Sequence, residues 1–121
     1  MQSKRPSPRS NPGPFSTHTP FMAKIQHIAL LKFKEGTTTE QIDGVFTGLL
    51  DLSESIPGIE NFTSGANNSP EGLAQGYTHA MVMTFTDTAA RDAYLAHADH
   101  AAFLAANQPL VENVAVVDFE V

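Results

Sequence analysis

The sequence has no cysteine and few basic residues, and each shortage excludes a class of protein. Without cysteine the chain can form no disulfide bond, thiolate nucleophile, iron–sulfur cluster or cysteine-based zinc site. Seven Lys and Arg stand against thirteen Asp and Glu, a net charge of −6. Nucleic acids select basic surfaces, so we expect no nucleic-acid partner. No apolar run approaches the roughly 18 residues of a membrane span, so we expect a soluble, cytoplasmic protein without a membrane partner.

The 121 residues suffice for one domain, and the basic residues are unevenly distributed along it. Residues 1–22 contain three of the seven bases, no acid and five of the eight prolines. Their few apolar side chains cannot offset an ordering entropy of roughly 1–2 kcal/mol per residue. We therefore expect a flexible, basic, Pro- and Ser-rich extension over residues 1–22. Residues 23–121, with a net charge of −9, should form the folded domain.

Patterns of apolar residues predict four strands and three helical segments in this domain. Long runs of β-branched and large apolar residues indicate strands over residues 24–34, 59–65, 76–85 and 112–121. Apolar residues near a 3.6-residue period indicate a helix between the threonines at 37–39 and Pro57, and helices over 88–95 and 99–107. This β-α-β-β-α-β order predicts an α+β, ferredoxin-like fold. In that fold a four-stranded antiparallel sheet has both helical segments on one face.

The other face of the predicted sheet is apolar although no helix covers it. Alternation along the strands assigns to this face Ile28, Leu30, Ala80, Val82, Val114 and Val116. An uncovered antiparallel sheet normally presents polar side chains to water. Burial of a large apolar side chain gains about 1.5–3 kcal/mol, and several together can exceed an association cost of roughly 4–15 kcal/mol. We therefore predict a homodimer that packs sheet to sheet.

The face toward the helices has two histidines in an apolar lining. The predicted lining consists of His27, Ala29 and Leu31 on the first strand and His79, Met81 and Met83 on the third, which is its neighbour in this topology. An imidazole in apolar surroundings stays neutral, which suits a base or a hydrogen-bonding group near pH 7. The alternatives are that each histidine is a hydrogen-bonded core residue and that the methionines only fill the core.

A second group of candidates lies near the junction of the last two helical segments. Tyr94 and His97 are three residues apart, as are His97 and His100, so one helical turn can place neighbours on one side. A phenol can stabilise a developing enolate while an imidazole removes a proton. The alternative is a structural junction with Asp99 as the helix N-cap. A zinc site built from three histidines is less favoured because the lining is apolar, and we expect no metal and no cofactor.

Several segments together resemble the stress-responsive α/β-barrel (Dabb) family, and the resemblance covers almost the whole of residues 23–121. The segments are HIALLKFK, SIPGI, NNSPEGLAQGYTHAMVMTF and RDAYLAHADHAAF. The resemblance implies a dimeric α+β barrel. One plant member of the family is a polyketide cyclase that performs an intramolecular aldol condensation without a cofactor. Likeness to it implies that Tyr94 and His100 form the reacting pair and that His27 and His79 are further pocket histidines.

The sequence differs from the family pattern at Ala98-Asp99, where Pro-Ala is common between the two histidines. Leu31, Met81, Met83 and Phe103 would give the pocket its own shape, and His97 is a further ligand-binding candidate. Our leading hypothesis is a homodimer that binds a small apolar or phenolic molecule between sheet and helices, with no established reaction. The alternatives are a cofactor-independent enzyme, cyclase-like or monooxygenase-like, and a structural, stress-stable oligomer. A cavity of about 300 Å³ or more near Tyr94 and His100 would favour binding or catalysis.

Overall fold

The computed structural model describes residues 23–121, so the predicted extension of residues 1–22 lies outside the described part of the chain. Residues 23–121 form four strands, three α-helices and one 3₁₀ turn. In chain order these are β1 (Ile25–Phe33), α1 (Thr39–Ser55), β2 (Ile59–Ala66), β3 (His79–Phe85), α2 (Thr88–Leu95), α3 (Ala98–Asn107), the 3₁₀ turn (Gln108–Leu110) and β4 (Val111–Glu120). None of these helices has the length and apolar composition that crossing a bilayer requires.

The four strands form one antiparallel sheet in the order β2-β3-β1-β4, which confirms the predicted ferredoxin-like arrangement. β1 lies in the interior of the sheet and is mostly buried on the face that packs against the helices, here called the inner face.

β3 begins at His79 rather than at residue 76. Gln75 and Gly76 have φ values of 58° and 88°, a left-handed backbone that a strand cannot contain.

Helix α1 begins at a capping box, as the threonine-rich segment predicts. Oγ1 of Thr38 accepts a hydrogen bond from the backbone N of Gln41 at 3.1 Å, and Oε1 of Gln41 accepts one from the backbone N of Thr38 at 2.9 Å. These two bonds satisfy donors that the first helical turn leaves unpaired. The buried stripe of α1, which consists of Val45, Leu49 and Leu52, joins the core beneath the sheet.

The two shorter helices begin at different kinds of cap. Oδ1 of Asp87 accepts a hydrogen bond from the backbone N of Ala90 at 2.8 Å at the start of α2. At the start of α3 the cap is His97, and the alternative of an Asp99 cap is wrong. Nδ1 of His97 accepts a hydrogen bond from the backbone N of Asp99 at 3.0 Å. The helix therefore begins at Ala98, and Asp99 lies in its first turn, where a negative charge is favourable.

The predicted face of β4 is also wrong. Val114 and Val116 pair with Leu31 and Ala29 of β1, so their side chains lie on the inner face. The β4 residues on the opposite, outer face are Ala115, Val117 and Phe119. Because residues 114–117 are all apolar, their alternation cannot fix the register, and pairing with β1 decides it. The same register places Asp118 opposite His27.

Candidate functional site

A cavity of about 500 Å³ lies between the inner face of the sheet and helices α2 and α3. Its apolar wall is formed by Ala29, Leu31, Leu49, Met81, Leu95, Phe103, Leu104, Val114 and Val116. Its polar end is formed by His27, Arg91, Tyr94, His100 and Asp118. The volume and the mainly apolar wall with a few clustered polar groups are typical of small-molecule sites.

A second cavity of about 500 Å³ adjoins the first near the C-terminal end of α3. The two share Leu31, Phe103, Leu104 and Val114 as lining residues. The far part of the second cavity is lined by Asn107, Gln108, Val111, Glu112 and Asn113. The space next to the polar end therefore continues along the groove between α3 and β4, and it suits an elongated apolar molecule.

His27 is a buried polar residue held by a carboxylate. Its Nδ1 lies 2.8 Å from Oδ1 of Asp118, and its side chain is 7% exposed. An ionised carboxylate only accepts hydrogen bonds, so Nδ1 must carry a hydrogen. In a neutral imidazole the other nitrogen, Nε2, is then an acceptor.

Arg91 of α2 completes this arrangement. Nη1 of Arg91 donates a hydrogen bond to Oδ2 of Asp118 at 2.8 Å, and Nε donates one to Oδ1 of Asp92 at 2.7 Å. Hydrogen bonds to Asp118 and to Asp92 raise the pKa of Arg91 above its ordinary value. The polar end thus contains a paired cation, a paired carboxylate and a histidine bonded to that carboxylate.

The rings of Tyr94 and His100 pack against each other at a tilt beside His27. Their ring centroids are 4.3 Å apart with an interplanar angle of 34°, and the Tyr94 ring also meets the His27 ring edge to face at 6.1 Å. Burial raises the pKa of Tyr94 to about 12, so its hydroxyl stays protonated at neutral pH. Burial lowers the pKa of His100, and electrostatic interactions with His27 and His97 lower it further. A hydrogen bond with the backbone of Leu95 acts in the opposite direction.

One nitrogen of His100 has no partner. Among residues 23–121, Nδ1 of His100 is the buried side-chain polar atom for which no hydrogen bond is found. Buried polar atoms in native proteins nearly always have a protein or water partner. Because His100 is favoured in its neutral form and lines the cavity, this imidazole is suited to bind a ligand hydroxyl or to take up a proton.

Seven of the ten predicted site residues line the cavity, and three lie elsewhere. His79 stacks on Phe46 at 5.5 Å and meets Phe33 edge to face at 5.4 Å, at the opposite end of β3 from the polar cluster. Met83 is fully buried in the core. His97 is the N-cap of α3.

Arg91 and Asp118 belong to the polar end but were not among the predicted site residues. The spacing of Asp118 from Val116 is a signal only once Val116 is known to lie on the inner face, because Asp118 then shares that face, where a carboxylate requires a polar partner. No comparable pattern marks Arg91. Within residues 23–121, no three His, Asp or Glu side chains converge in an arrangement that could hold a metal ion.

The fold and the cavity define an α+β, ferredoxin-like protein with a mainly apolar site that has one polar end. The sequence model of the Stress responsive A/B Barrel Domain family, Dabb, matches residues 25–121, and the chain belongs to this family. This confirms the resemblance drawn from the sequence.

Three known proteins illustrate the relationship. Stress-response A/B barrel domain-containing protein HS1 of Arabidopsis thaliana is 32% identical over 96 residues, which are 79% of this chain and 88% of that protein. Olivetolic acid cyclase of Cannabis sativa is 25% identical over 95 residues, which are 78% of this chain and 94% of the cyclase. The crystal structure of a dimeric ferredoxin-like protein of unknown function from Thermobifida fusca has a TM-score of 0.68 and 34% identity, covering 83% of this chain and 92% of that one.

Proposed function

We propose that the protein binds a small, mainly apolar molecule with a phenolic hydroxyl in the cavity between sheet and helices. The observation that carries this proposal is the polar end of a cavity of about 500 Å³, where Nδ1 of His100 is buried without a partner. A ligand hydroxyl would satisfy this nitrogen, and the apolar wall would gain from burying the rest of the molecule. The open cavity argues against a purely structural role, which requires a filled interior.

Native mass spectrometry of freshly purified protein tests the proposal. We expect a bound small molecule in the wild type and a large decrease in its occupancy in Tyr94→Phe and His100→Ala. The decrease follows from losing a hydrogen-bonding group next to the ligand, which costs about tenfold in affinity per bond.

Two residues outside the cavity supply matched controls. Tyr77→Phe removes a hydroxyl that accepts a hydrogen bond from Asn113, and His79→Ala removes an imidazole that does not line the cavity. Both variants should retain the ligand. Equal retention in all four variants would mean that the polar end is not the binding site.

A second candidate, a cofactor-independent aldol cyclase, is favoured by the close contact between an imidazole favoured in its neutral form and a protonated phenol. In this reaction His100 takes a proton from the carbon next to a ligand carbonyl, and the Tyr94 hydroxyl donates a hydrogen bond to the resulting enolate oxygen. The enolate carbon then attacks a second carbonyl of the same molecule, a carbon–carbon bond forms, and the alkoxide takes the proton back from His100. The similarity to olivetolic acid cyclase supports this candidate.

The same variants separate binding from catalysis. With a linear triketo ester as the probe, liquid chromatography with mass spectrometry would detect a cyclised product above the buffer level in the wild type but not in His100→Ala. A protein that retains its ligand but forms no product is a binding protein only.

We also infer that two copies of the chain pack outer face to outer face. The outer face has exposed apolar side chains on β1 and β4, among them Leu30, Val117 and Phe119. The similar protein from Thermobifida fusca is dimeric. Together these observations support the sheet-to-sheet homodimer predicted from the sequence.

A further inference from the structure

A chain of hydrogen-bonded ion pairs connects α2 to β4 across the polar end of the cavity. Asp118 stands at its centre, and its two oxygens have different partners. Oδ1 is 2.8 Å from Nδ1 of His27, and Oδ2 is 2.8 Å from Nη1 of Arg91. On its other side, Arg91 is held through Nε by Oδ1 of Asp92 at 2.7 Å.

Asp118 needs Arg91 as a second partner, besides His27, because the rest of its surroundings restrain its side chain only weakly. It lies on β4, an edge strand, and its side chain is 20% exposed. A carboxylate bonded through one oxygen can still rotate about χ2, a torsion with broad minima. The planar guanidinium of Arg91 has donors in a fixed geometry, so a bond to Oδ2 removes this freedom.

We propose that Arg91 is a positioning residue: by holding Oδ2 of Asp118, it keeps the hydrogen of His27 on Nδ1 and leaves Nε2 as an acceptor for a ligand hydroxyl. Without Arg91, the carboxylate can turn away, and His27 can carry its hydrogen on either nitrogen. Exchange of the hydrogen between the two nitrogens removes the fixed acceptor.

The charges at this end indicate what kind of ligand group it accepts. The charge of Arg91 is balanced by Asp92 and Asp118, each in contact with it, and His100 is favoured in its neutral form. A ligand carboxylate would therefore meet a paired cation and the negative charge of Asp118, whereas a neutral hydroxyl would meet acceptor nitrogens. This part of the inference rests on the proposed function and specifies a neutral hydroxyl donor as the ligand group.

The first test is a long-range ¹H–¹⁵N correlation spectrum of the ligand-free protein near pH 7, which distinguishes protonated from unprotonated imidazole nitrogens. In the wild type we expect His27 to show a protonated Nδ1 and an unprotonated Nε2. In Arg91→Met the distinct signal of an unprotonated Nε2 should be lost through tautomer exchange. Arg91→Lys, which keeps a cation that can reach Asp118, should retain the wild-type pattern.

Lys24→Met is the matched control, because it breaks an exposed ion pair with Glu60, 2.9 Å long, away from the cavity. A merely structural role for Arg91 predicts that Arg91→Met lowers the stability of the fold but, like Lys24→Met, leaves the His27 signals unchanged. That result would overturn the proposal. If Arg91→Met does not fold, Arg91→Ala, which also lacks a donor, is measured in its place with the same two outcomes.

The second test uses 4-hexylphenol and its methyl ether as probes. The wild type should bind the phenol about tenfold more tightly than the ether, and Arg91→Met should lose this preference. If the wild type binds neither probe while Arg91→Met changes the His27 signals, the proposed function fails and the role of Arg91 stands. If the wild type prefers the phenol and Arg91→Met retains both the preference and the signals, the role of Arg91 fails and the proposed function stands.

Discussion

At the residue scale, the polar end of the cavity depends on side chains that three elements bring together. His27 comes from β1, Tyr94 from the last turn of α2, and His100 from the first turn of α3. The break between the two helices at Ala96 and His97 turns the chain, so that the ring centroids of Tyr94 and His100 lie 4.3 Å apart. One continuous helix would place residues six positions apart on different sides.

The buried phenol of Tyr94 should make stability depend on pH in alkaline solution. Its folded-state pKa is raised from 10.0 to about 12, so its contribution is complete below pH 10 and is lost as the pH rises through 12. Between about pH 9 and about pH 11.5, the free energy of unfolding of the wild type should fall by about 2 kcal/mol more than that of Tyr94→Phe. Urea unfolding followed by circular dichroism measures this difference.

Tyr77→Phe is the control for this prediction, because Tyr77 lies outside the cavity lining. Because this variant keeps Tyr94, its free energy of unfolding should still fall as the pH rises toward about 11.5. Parallel profiles for the wild type and Tyr94→Phe would show that the Tyr94 hydroxyl is not buried in solution.

The sequence identified some of these residues and not others, for a physical reason. His27, Tyr94 and His100 are rare, titratable residues in apolar or helical patterns, so they stand out. Asp118 and Arg91 are ordinary charged residues in the sequence, and they acquire a role only because β4 and α2 place them 2.8 Å apart. Contacts between residues 27 positions apart cannot be inferred from local periodicity.

At the element scale, the turn between α1 and β2 depends on a glycine. Gly58 has φ of 91°, and a Cβ added there would lie 2.6 Å from Cβ of Ala90 on α2. Gly58→Ala should therefore lower the free energy of unfolding by about 1–3 kcal/mol from the backbone conformation alone, with a further loss from displacing α2. Thermal and urea unfolding measure the effect.

Two other glycines distinguish the cost of the backbone conformation from the cost of the contact with Ala90. Gly36 has φ of 90° but open space around its Cβ position, so Gly36→Ala should show only the conformational cost. Gly44 lies within α1 with open space and an ordinary φ, so Gly44→Ala should stabilise the protein by up to about 1 kcal/mol. If Gly58→Ala is no worse than Gly36→Ala, the contact with Ala90 has no energetic consequence.

Local rules predicted most element boundaries because the signals themselves are local. The capping box of α1 and the Asp87 cap of α2 involve residues three positions apart, so the sequence displays them directly. The face of β4 was predicted wrongly because residues 114–117 are all apolar, so no polar side chain among them shows which positions face the core. Its pairing with β1, more than 80 residues away, decides the face.

At the scale of the whole molecule, the outer face of the sheet should control assembly. Val117 lies on this face and is 62% exposed in the single chain. Val117→Asp would bring a charge into a sheet-to-sheet interface, where an unpaired carboxylate is costly. We expect the wild type to have the mass of a dimer by light scattering at micromolar concentration, and Val117→Asp to have that of a monomer.

The control makes the same chemical change elsewhere. Leu73 lies in the loop between β2 and β3 and is similarly exposed, so Leu73→Asp should remain dimeric. A monomeric wild type, or a Val117→Asp protein that stays dimeric, would show that the outer face is not the interface.

The sequence by itself determined the order of elements, the ferredoxin-like α+β fold and the membership of the Dabb family. The order of elements follows from periodicity, caps and turn residues, which act over a few positions, whereas the family follows from the resemblance of several longer segments. Only the tertiary structure decided that Arg91 and Asp118 join His27, Tyr94 and His100, that His79 and His97 lie outside the cavity, and that Val114 and Val116 line it. Strand register and helix docking set these placements, and both are collective results of packing between segments far apart in the chain.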